Sequence, residues 1–306
     1  MIPALTGPTA SGKSALAMAL SQECGWDIVS CDSRQVYRGM DIGTAKPDQS
    51  EQSLVRHWLI DLIEPSETYS LYRYFSDAEG VIDQLHTKGK RCIVCGGTGL
   101  YMRTLIDGVG GQEESDPEIR DMLTQRAVLE GTEKMHDELK KVDPVSASKI
   151  HSNDAQRIIR ALAVYCQTGK PLSLLQKIKE RPGRYKYSVV KLTIDRDRLY
   201  EQINKRVDAM ISMGLYDEFR MLVKKGYTAD SPGLQCVGYR EFFPYEQAAI
   251  SFHDAVELIK RNTRRFAKRQ VTWFAHQQDG IEVDISRGMD AVLPVIRNFY
   301  KESSFD

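Results

Sequence analysis

Short apolar runs alternate along the chain with longer stretches of helical periodicity. Between the runs, apolar side chains recur at helical spacing, most clearly from Ser70 to Gly89. Strands alternating with helices predict an α/β fold with a doubly wound parallel sheet. Four runs have the length and apolar character of buried strands: residues 2–5, 26–32, 92–95 and 187–194.

The middle of the chain has a different pattern. From residue 116 to about residue 175 there is no convincing strand, and helical stretches are separated by Gly131, Pro144 and residues 169–171. We therefore predict an all-helical insertion, residues 116–185, within an α/β core formed by residues 1–115 and 186–306. A long helix that begins near Asp254 is the final element predicted.

Composition and charge exclude few classes of function. The 306 residues include 42 lysines and arginines against 42 acidic residues, so only local clusters of charge can indicate a nucleic-acid partner. The sequence has no signal-peptide pattern and no apolar run near the roughly 18 residues of a membrane span, so we expect a cytoplasmic protein without membrane contact. Cys92 and Cys95 would point to opposite faces of a strand, so we expect reduced thiols rather than a metal site.

The first apolar run leads into a glycine-rich motif, G-x-x-x-x-G-K-[ST]. Strand, glycine loop and helix are the context in which this P-loop pattern binds phosphate chains through backbone N–H groups and the positive end of the helix. Lys13 adds a cation, and the Ser14 hydroxyl is a ligand for Mg²⁺. The motif predicts a P-loop NTPase-like core but leaves open which molecule carries the phosphates. Its residues are Gly7, Pro8, Thr9, Ala10, Ser11, Gly12, Lys13 and Ser14.

Asp32 closes the second apolar run. Ligands of parallel α/β sheets lie at the carboxyl ends of the strands, so Asp32 should lie near the phosphate loop. A turn or helix-cap aspartate is an equally good explanation of its position alone. Asp61, at the end of a weaker strand candidate at residues 57–62, is a second acidic candidate.

Two helices carry basic residues on one face. Arg157 and Arg160 are three residues apart. Arg261, Arg265 and Arg269 recur every four residues in a stretch without acidic residues, followed by Trp273 and Phe274. Basic side chains beside aromatic ones suit contact with phosphates and stacking on bases. A solvated helix face remains the alternative interpretation of both groups.

Taken together, these segments resemble the tRNA dimethylallyltransferases, also called tRNA isopentenyltransferases. The matching stretches follow the family's order over nearly the whole chain. They are GPTASGKS (7–14), DSRQVY (32–37), GTAKP (43–47), GGTGLY (96–101), DPEIR (116–120), NDAQRIIRAL (153–162), VGYRE (237–241) and TRRFAKRQVTWF (263–274).

The resemblance implies transfer of a dimethylallyl group from dimethylallyl diphosphate to N6 of the adenosine on the 3′ side of the tRNA anticodon, with Mg²⁺ as the cofactor. Asp32 would be the general base, Lys13 and Arg196 would act on the diphosphate, and the helical insertion would grip the anticodon stem-loop. We expect a monomer. The positions assigned to tRNA contact are Asp32, Ser33, Arg34, Gln35, Thr98, Arg120, Gln156, Arg157, Ile158, Ile159, Arg160, Cys236, Val237, Gly238, Tyr239, Arg240, Glu241, Lys268, Arg269, Gln270, Val271, Thr272, Trp273, Phe274 and Ala275.

The chain departs from the family pattern at Trp58, Gln202 and Ala275, which concerns individual cations rather than the reaction. Three other functions stay open from the residues alone. An adenylate isopentenyltransferase would act on free AMP, ADP or ATP and would not need a large RNA-gripping insertion. A P-loop small-molecule kinase would transfer a phosphoryl group from ATP. A non-catalytic RNA-binding ATPase would need a strong strand that ends in aspartate.

Overall fold

The structure of the chain is a computed structural model that describes residues 1–109, 116–176, 182–277 and 279–303. The chain divides into two compact units. The first unit joins Met1–Ile106 to Tyr185–Asp306, and the second is Asp107–Arg184. Among the helices described, none combines the length and the apolar character that a membrane span requires.

A parallel sheet forms the centre of the first unit. In chain order its strands are β1 Ile2–Thr6, β2 Asp27–Ser30, β3 His57–Trp58, β4 Cys92–Gly96, β5 Tyr187–Thr193 and β6 Ile281–Asp284, and their spatial order is β3-β2-β4-β1-β5-β6. The apolar runs predicted as strands do form strands, because the sheet buries them on both faces. The central strands β1 and β4 pair directly, with Ala4 opposite Val94. The α/β class with a parallel sheet, predicted from the alternating pattern, is confirmed.

Helices cover the sheet and extend beyond it. The helix predicted to begin at Ser70 is confirmed as α3, Leu71–Thr87. The Ser70 hydroxyl accepts a hydrogen bond from the Arg73 N–H (3.1 Å) and caps this helix. The helices that include residues of the first unit are α1 Lys13–Cys24, α2 Gln49–Leu54, α3 Leu71–Thr87, α4 Gly99–Asp107, α10 Arg196–Ser212, α11 Leu215–Lys224, α12 Phe242–Glu246, α13 Phe252–Gln277 and α14 Met289–Glu302.

Two sequence predictions differ from the structure. Residues 57–62 form only the two-residue β3, because Leu59 and Asp61 have left-handed backbone conformations (φ 64° and 54°) that end the strand. The carboxylate of Asp61 lies 2.6 Å from the Nζ of the buried Lys46, so it is committed to an ion pair. The helix that begins at Phe252 is not the final element either: β6, a short 3₁₀ helix and α14 follow it.

The named elements of the second unit are all helices in its described part. Its core contains Leu123 from α5, Leu139 from α6 and Leu162 from α8. Gly131 separates α5 from α6, and Gly169 ends α8 in a left-handed conformation (φ 67°). The helices are α5 Pro117–Glu130, α6 Thr132–Val142, α7 Pro144–Ala147, α8 Ala155–Thr168 and α9 Leu172–Leu175.

Candidate active site

The phosphate loop connects β1 to α1, as the motif predicted. Gly12 adopts a left-handed conformation (φ 81°) and begins α1 without a side-chain cap, so the first N–H groups of the helix find no partner in a capping side chain. A Cβ at Gly7 would lie 3.0 Å from the Cβ of Leu192, which explains glycine there. The ammonium group of Lys13 folds back to donate to the Pro8 carbonyl (3.2 Å). Helix terminus and lysine together form a cradle for a phosphate chain.

A cavity of about 310 Å³ lies in the first unit, beside this loop. Thr9, Lys13 and Ser14 line one end of it. Asp32 and Thr98 contribute from the segments that follow β2 and β4. Because β2, β4 and β1 are neighbours in the parallel sheet, their carboxyl ends bring these three segments together.

Asp32 lies two residues beyond the end of β2. Its Oδ1 accepts a hydrogen bond from the Arg34 N–H (2.8 Å), and the next residue, Ser33, donates its N–H to the Thr98 hydroxyl (3.0 Å). Oδ2 accepts no hydrogen bond from the residues that the structure describes. Both interpretations of Asp32 therefore hold at once: one oxygen stabilises a turn, and the carboxylate lines the cavity.

Two cations and this carboxylate are concentrated at one end of the cavity. Burial lowers the pKa of Lys13 below its ordinary value of 10.5, whereas the charge of Asp32 acts to raise it. Burial likewise lowers the pKa of Arg206, and Asp32 again opposes the shift. Both residues are half-buried, and a bound anion would compensate the partial desolvation of their charges.

Arg206 was not predicted from the sequence, and Arg196 was. The Arg196 side chain does not line the cavity; its guanidinium carbon lies 5.3 Å from the centre of the Tyr200 ring. Arg206, Val207 and Met210 line the cavity from one face of α10. Helical spacing shows that these three residues share one face of α10. The sequence does not indicate that this face points to the phosphate loop.

Apolar side chains form a further part of the lining. Val207 and Met210 come from α10, and Ile259 and Phe266 come from α13. None of the four was predicted as a site residue, because apolar residues at helical spacing are ordinarily core residues. The cavity thus combines a cationic end with an apolar wall.

Gln270 joins α13 to the phosphate loop. Its Oε1 accepts a hydrogen bond from the Thr9 N–H (2.8 Å), and its Nε2 donates to the Gly97 carbonyl (2.7 Å). The side chain is buried. Although Gln270 was predicted to contact tRNA, both polar atoms of its side chain are engaged within the protein.

Two more predicted tRNA contacts, Tyr239 and Glu241, are buried anchors. The carboxylate of Glu218 accepts from the Tyr239 hydroxyl (2.6 Å) and from the N–H groups of residues 41–43. The carboxylate of Glu241 accepts from the Gly238 N–H (2.9 Å) and the Asn262 amide (2.8 Å). These contacts hold two loops whose residues line the cavity.

The other predicted positions of the first unit fall into two groups. Some line the cavity, namely Ser33, Arg34, Gln35, Thr98, Cys236, Val237, Gly238, Arg240 and Arg269. The rest lie on α13 outside the lining: Lys268, Val271, Thr272 and Ala275 are exposed, Trp273 is half-buried against Gly99, and Phe274 is buried.

The basic stripe on α13 is exposed. Arg261, Arg265 and Arg269 form no ion pair with a carboxylate in the described ranges. Lys260, in contrast, lies 2.8 Å from the Asp208 carboxylate, and Arg264 donates to Asn204. The stripe therefore offers cations that nothing in this part of the chain neutralises.

In the second unit, the predicted positions divide between surface and core. Arg120, Gln156, Arg157 and Arg160 are exposed, whereas Ile158 and Ile159 are buried in the helical core. The side chains of the two isoleucines are therefore part of the packing of this unit rather than of its surface, and contact of these positions with RNA stays a prediction.

Comparison with known proteins agrees with this description. The family model described as IPP transferase matches residues 35–277. A tRNA dimethylallyltransferase of Acetivibrio thermocellus is 44% identical over 272 residues, which cover 88% of this chain and 87% of that protein.

Solved structures give the same result. The crystal structure of the full-length tRNA isopentenylpyrophosphate transferase of Bacillus halodurans is 36% identical, with a TM-score of 0.72 over 98% of this chain and 95% of that one. A eukaryotic dimethylallyltransferase, captured in crystallographic snapshots acting on tRNA, is 27% identical with a TM-score of 0.78 over 92% of this chain and 73% of that one. The chain therefore belongs to the IPP transferase family, the family of the tRNA dimethylallyltransferases.

Proposed function

We propose that this protein transfers a dimethylallyl group from dimethylallyl diphosphate to N6 of the adenosine on the 3′ side of the anticodon in tRNA, releasing diphosphate. One observation carries the proposal beyond family membership. A single cavity is lined by a phosphate loop with two cations, a carboxylate and an apolar wall. The loop and its cations suit a diphosphate, the carboxylate suits an N–H nucleophile, and the apolar wall suits an allyl group.

The leaving group, diphosphate, is stabilised at the cationic end of the cavity. As the allylic C–O bond breaks, negative charge grows on the oxygen that stays with the diphosphate. Lys13 and Arg206, with the N–H groups at the start of α1, stabilise that charge. Burial lowers the pKa of both side chains, so an anion bound beside them would favour their charged forms.

Asp32 acts as the general base in this proposal. The exocyclic N6 of adenine is a weak nucleophile, and removing its proton as the new C–N bond forms lowers the barrier. A positioned base contributes a factor of about 10²–10⁴. Oδ1 is held by the Arg34 N–H (2.8 Å), which leaves Oδ2 to receive the proton.

The donor set at the loop fits Mg²⁺. This ion binds few protein ligands and relies on substrate phosphates and water for the others. The Ser14 hydroxyl lines the cavity beside Lys13 and would be the protein's ligand. No group of three or more His, Cys, Asp and Glu residues suited to a metal occurs within the described ranges. Bound there, the ion would neutralise diphosphate charge.

The apolar wall protects the allyl group. That group develops positive character as the bond to diphosphate breaks, and water would intercept it. Val207, Met210 and Ile259 are buried apolar side chains that exclude water from this part of the cavity. The adenosine must leave its stack in the anticodon loop to reach the base at Asp32.

Two basic surfaces support an RNA acceptor. One is the stripe of Arg261, Arg265 and Arg269 on α13, and the other is the exposed pair Arg157 and Arg160 on α8. We propose that both contact the phosphates of the anticodon stem-loop, the stripe beside the cavity and the pair from the helical insertion. The monomeric state and the cytoplasmic location remain predictions from the sequence.

Product analysis tests this function. The enzyme is incubated with Mg²⁺ and dimethylallyl diphosphate, together with an anticodon stem-loop, AMP or ATP, and nucleosides are identified by mass spectrometry. We expect N6-(dimethylallyl)adenosine only from the stem-loop. Alkylated AMP or ATP would indicate an adenylate isopentenyltransferase. Phosphoryl transfer from ATP to a small molecule, with no alkylation, would indicate a kinase.

A further inference from the structure

We infer that Met210 and Ile259 form the end wall that limits the donor to a single isoprene unit, and that shortening Met210 lets the enzyme transfer a ten-carbon allylic group. The inference rests on the proposed function, since it assigns the apolar wall to the allyl group of the donor. It concerns which allylic diphosphate is used rather than whether one is used.

The first step is the register of the two helices that form the wall. Asp208 on α10 lies 2.8 Å from Lys260 on α13, and Asn204 accepts a hydrogen bond of 2.5 Å from Arg264. From the first of these contacts along α10 to the second, the residue number rises by four on α10 and falls by four on α13. The helices are therefore antiparallel along the cavity.

This register places residues of the two helices opposite each other. Arg206 lies within about one residue of the level of Thr263, and Met210 lies within about one residue of the level of Ile259, one helical turn further on. At the level of Met210 and Ile259 both helices contribute apolar side chains to the lining, whereas Arg206 and Thr263 are polar. Along the axis of α10, the Cα of Met210 lies about 6 Å from the Cα of Arg206, at a rise of about 1.5 Å per residue.

The burial of the lining residues distinguishes the inner wall from the mouth. Met210 is 8% exposed and Ile259 is 2% exposed, although both line the cavity. Phe266 is 40% exposed, and Arg269 is exposed beside it. Met210 and Ile259 therefore present buried apolar surface to the cavity, whereas Phe266 and Arg269 border solvent.

These dimensions suit a five-carbon group. From the carbon that bears the diphosphate to the far methyl, dimethylallyl spans three C–C bonds, about 4 Å. That length fits between the Arg206 level and the Met210 level. A second isoprene unit adds four chain carbons, about 5 Å more, and its end would overlap the Met210 side chain. Close-packed interiors do not absorb such an overlap without rearrangement.

Met210 is the better position to change. Its side chain is unbranched, so truncation to alanine opens space along the direction of the donor chain without altering a polar contact. We compare the wild type with Met210→Ala and with Ile203→Ala. Ile203 lies on the same helix and is fully buried, but it packs with Leu199 and Ala267 and does not line the cavity. This control reproduces a core truncation without enlarging the wall.

The experiment measures kcat/KM for dimethylallyl and geranyl diphosphate with a fixed anticodon stem-loop. A misfit of one methylene in an apolar pocket changes kcat/KM about 10- to 200-fold. We therefore expect the geranyl-to-dimethylallyl ratio to rise at least about tenfold in Met210→Ala and to stay near the wild-type value in Ile203→Ala. If Met210→Ala does not fold, Ile259→Val, a milder truncation of the same wall, should raise the ratio in the same direction.

Three results have distinct meanings. An unchanged ratio in a folded Met210→Ala enzyme that still transfers dimethylallyl would overturn the inference. So would a raised KM for the stem-loop with no gain for geranyl diphosphate, because the wall would then contact the adenine. Absence of dimethylallyl transfer by the wild type would instead contradict the proposed function itself.

Discussion

Replacing Gln270 by leucine should separate the phosphate loop from α13 while leaving the side-chain volume nearly unchanged. Gln270 is the side chain that ties Thr9 of the loop to Gly97 after β4, through hydrogen bonds of 2.8 and 2.7 Å. Thr98, the next residue, accepts the Ser33 N–H beside Asp32 (3.0 Å). Gln270 therefore positions both the diphosphate cradle and the segment that carries the proposed base.

The size of the effect follows from the groups left behind. Leucine satisfies neither the Thr9 N–H nor the Gly97 carbonyl, and an unsatisfied buried polar group costs about 1–3 kcal/mol. Gly97 is buried and Thr9 is only half-buried, so we expect about 2–3 kcal/mol in total. If the loop bears this cost, kcat/KM for the donor falls about 30- to 150-fold. If folding bears it, Tm falls by about 4–12 °C.

Steady-state kinetics with dimethylallyl diphosphate and thermal unfolding distinguish these two cases. The matched control is Gln52→Leu, which removes another glutamine hydrogen bond to a backbone carbonyl, that of Pro47 (2.8 Å), outside the cavity lining. Gln52→Leu should leave kcat/KM within about threefold of the wild type, well inside the change expected for Gln270→Leu. A Gln270→Leu enzyme with wild-type kcat/KM and wild-type Tm would refute the positioning role.

Three further predictions concern cations and one buried carboxylate. Arg206→Ala should lower kcat about 10²–10³-fold, whereas Arg196→Ala should have little effect; the reverse order in single-turnover assays would support the assignment of Arg196 from the sequence. Replacing Arg265 and Arg269 by alanine should reduce the slope of log affinity against log salt by about one per lost phosphate contact in stem-loop titrations, and an unchanged slope would identify a solvated face. Asp143 is buried, which alone would raise its pKa, but hydrogen bonds from two serines outweigh burial and hold the pKa below its ordinary value of 3.8. Its contribution to stability is therefore present above that value and lost as the pH falls through the folded-state pKa, so chemical unfolding of Asp143→Asn should show a weaker decline in stability below pH 4 than the wild type.

The segments that the sequence predicted well carry local signals. The glycine pattern that ends at Ser14 determines the backbone between β1 and α1 because Gly12 needs a left-handed conformation that other residues avoid. Ser70 predicts the start of α3 because its hydroxyl caps the first turn. The position of Asp32 near the loop followed from its place at the end of a predicted strand, since parallel strands present their carboxyl ends on one edge.

The features that were missed depend on tertiary contacts. Arg206 lines the cavity only because α10 packs antiparallel to α13, and the sequence of α10 gives no indication of its partner. Gln270, Tyr239 and Glu241 lie in stretches that match the family, yet their side chains satisfy buried groups of neighbouring loops. β6 is four residues long and half exposed, which is too short for a periodic signal.

The central claim is that this cavity joins the donor carbon to adenine N6 with Asp32 taking the proton. Single-turnover rates of Asp32→Asn, with saturating dimethylallyl diphosphate and stem-loop over a titration of Mg²⁺, test it most directly. Asparagine preserves the acceptor for the Arg34 N–H, so the turn and the binding of both substrates should persist. We predict a rate at least about 10²-fold below the wild type at every Mg²⁺ concentration. Recovery of the wild-type rate at high Mg²⁺ would show that Asp32 acts on the metal and would contradict the assignment of the base.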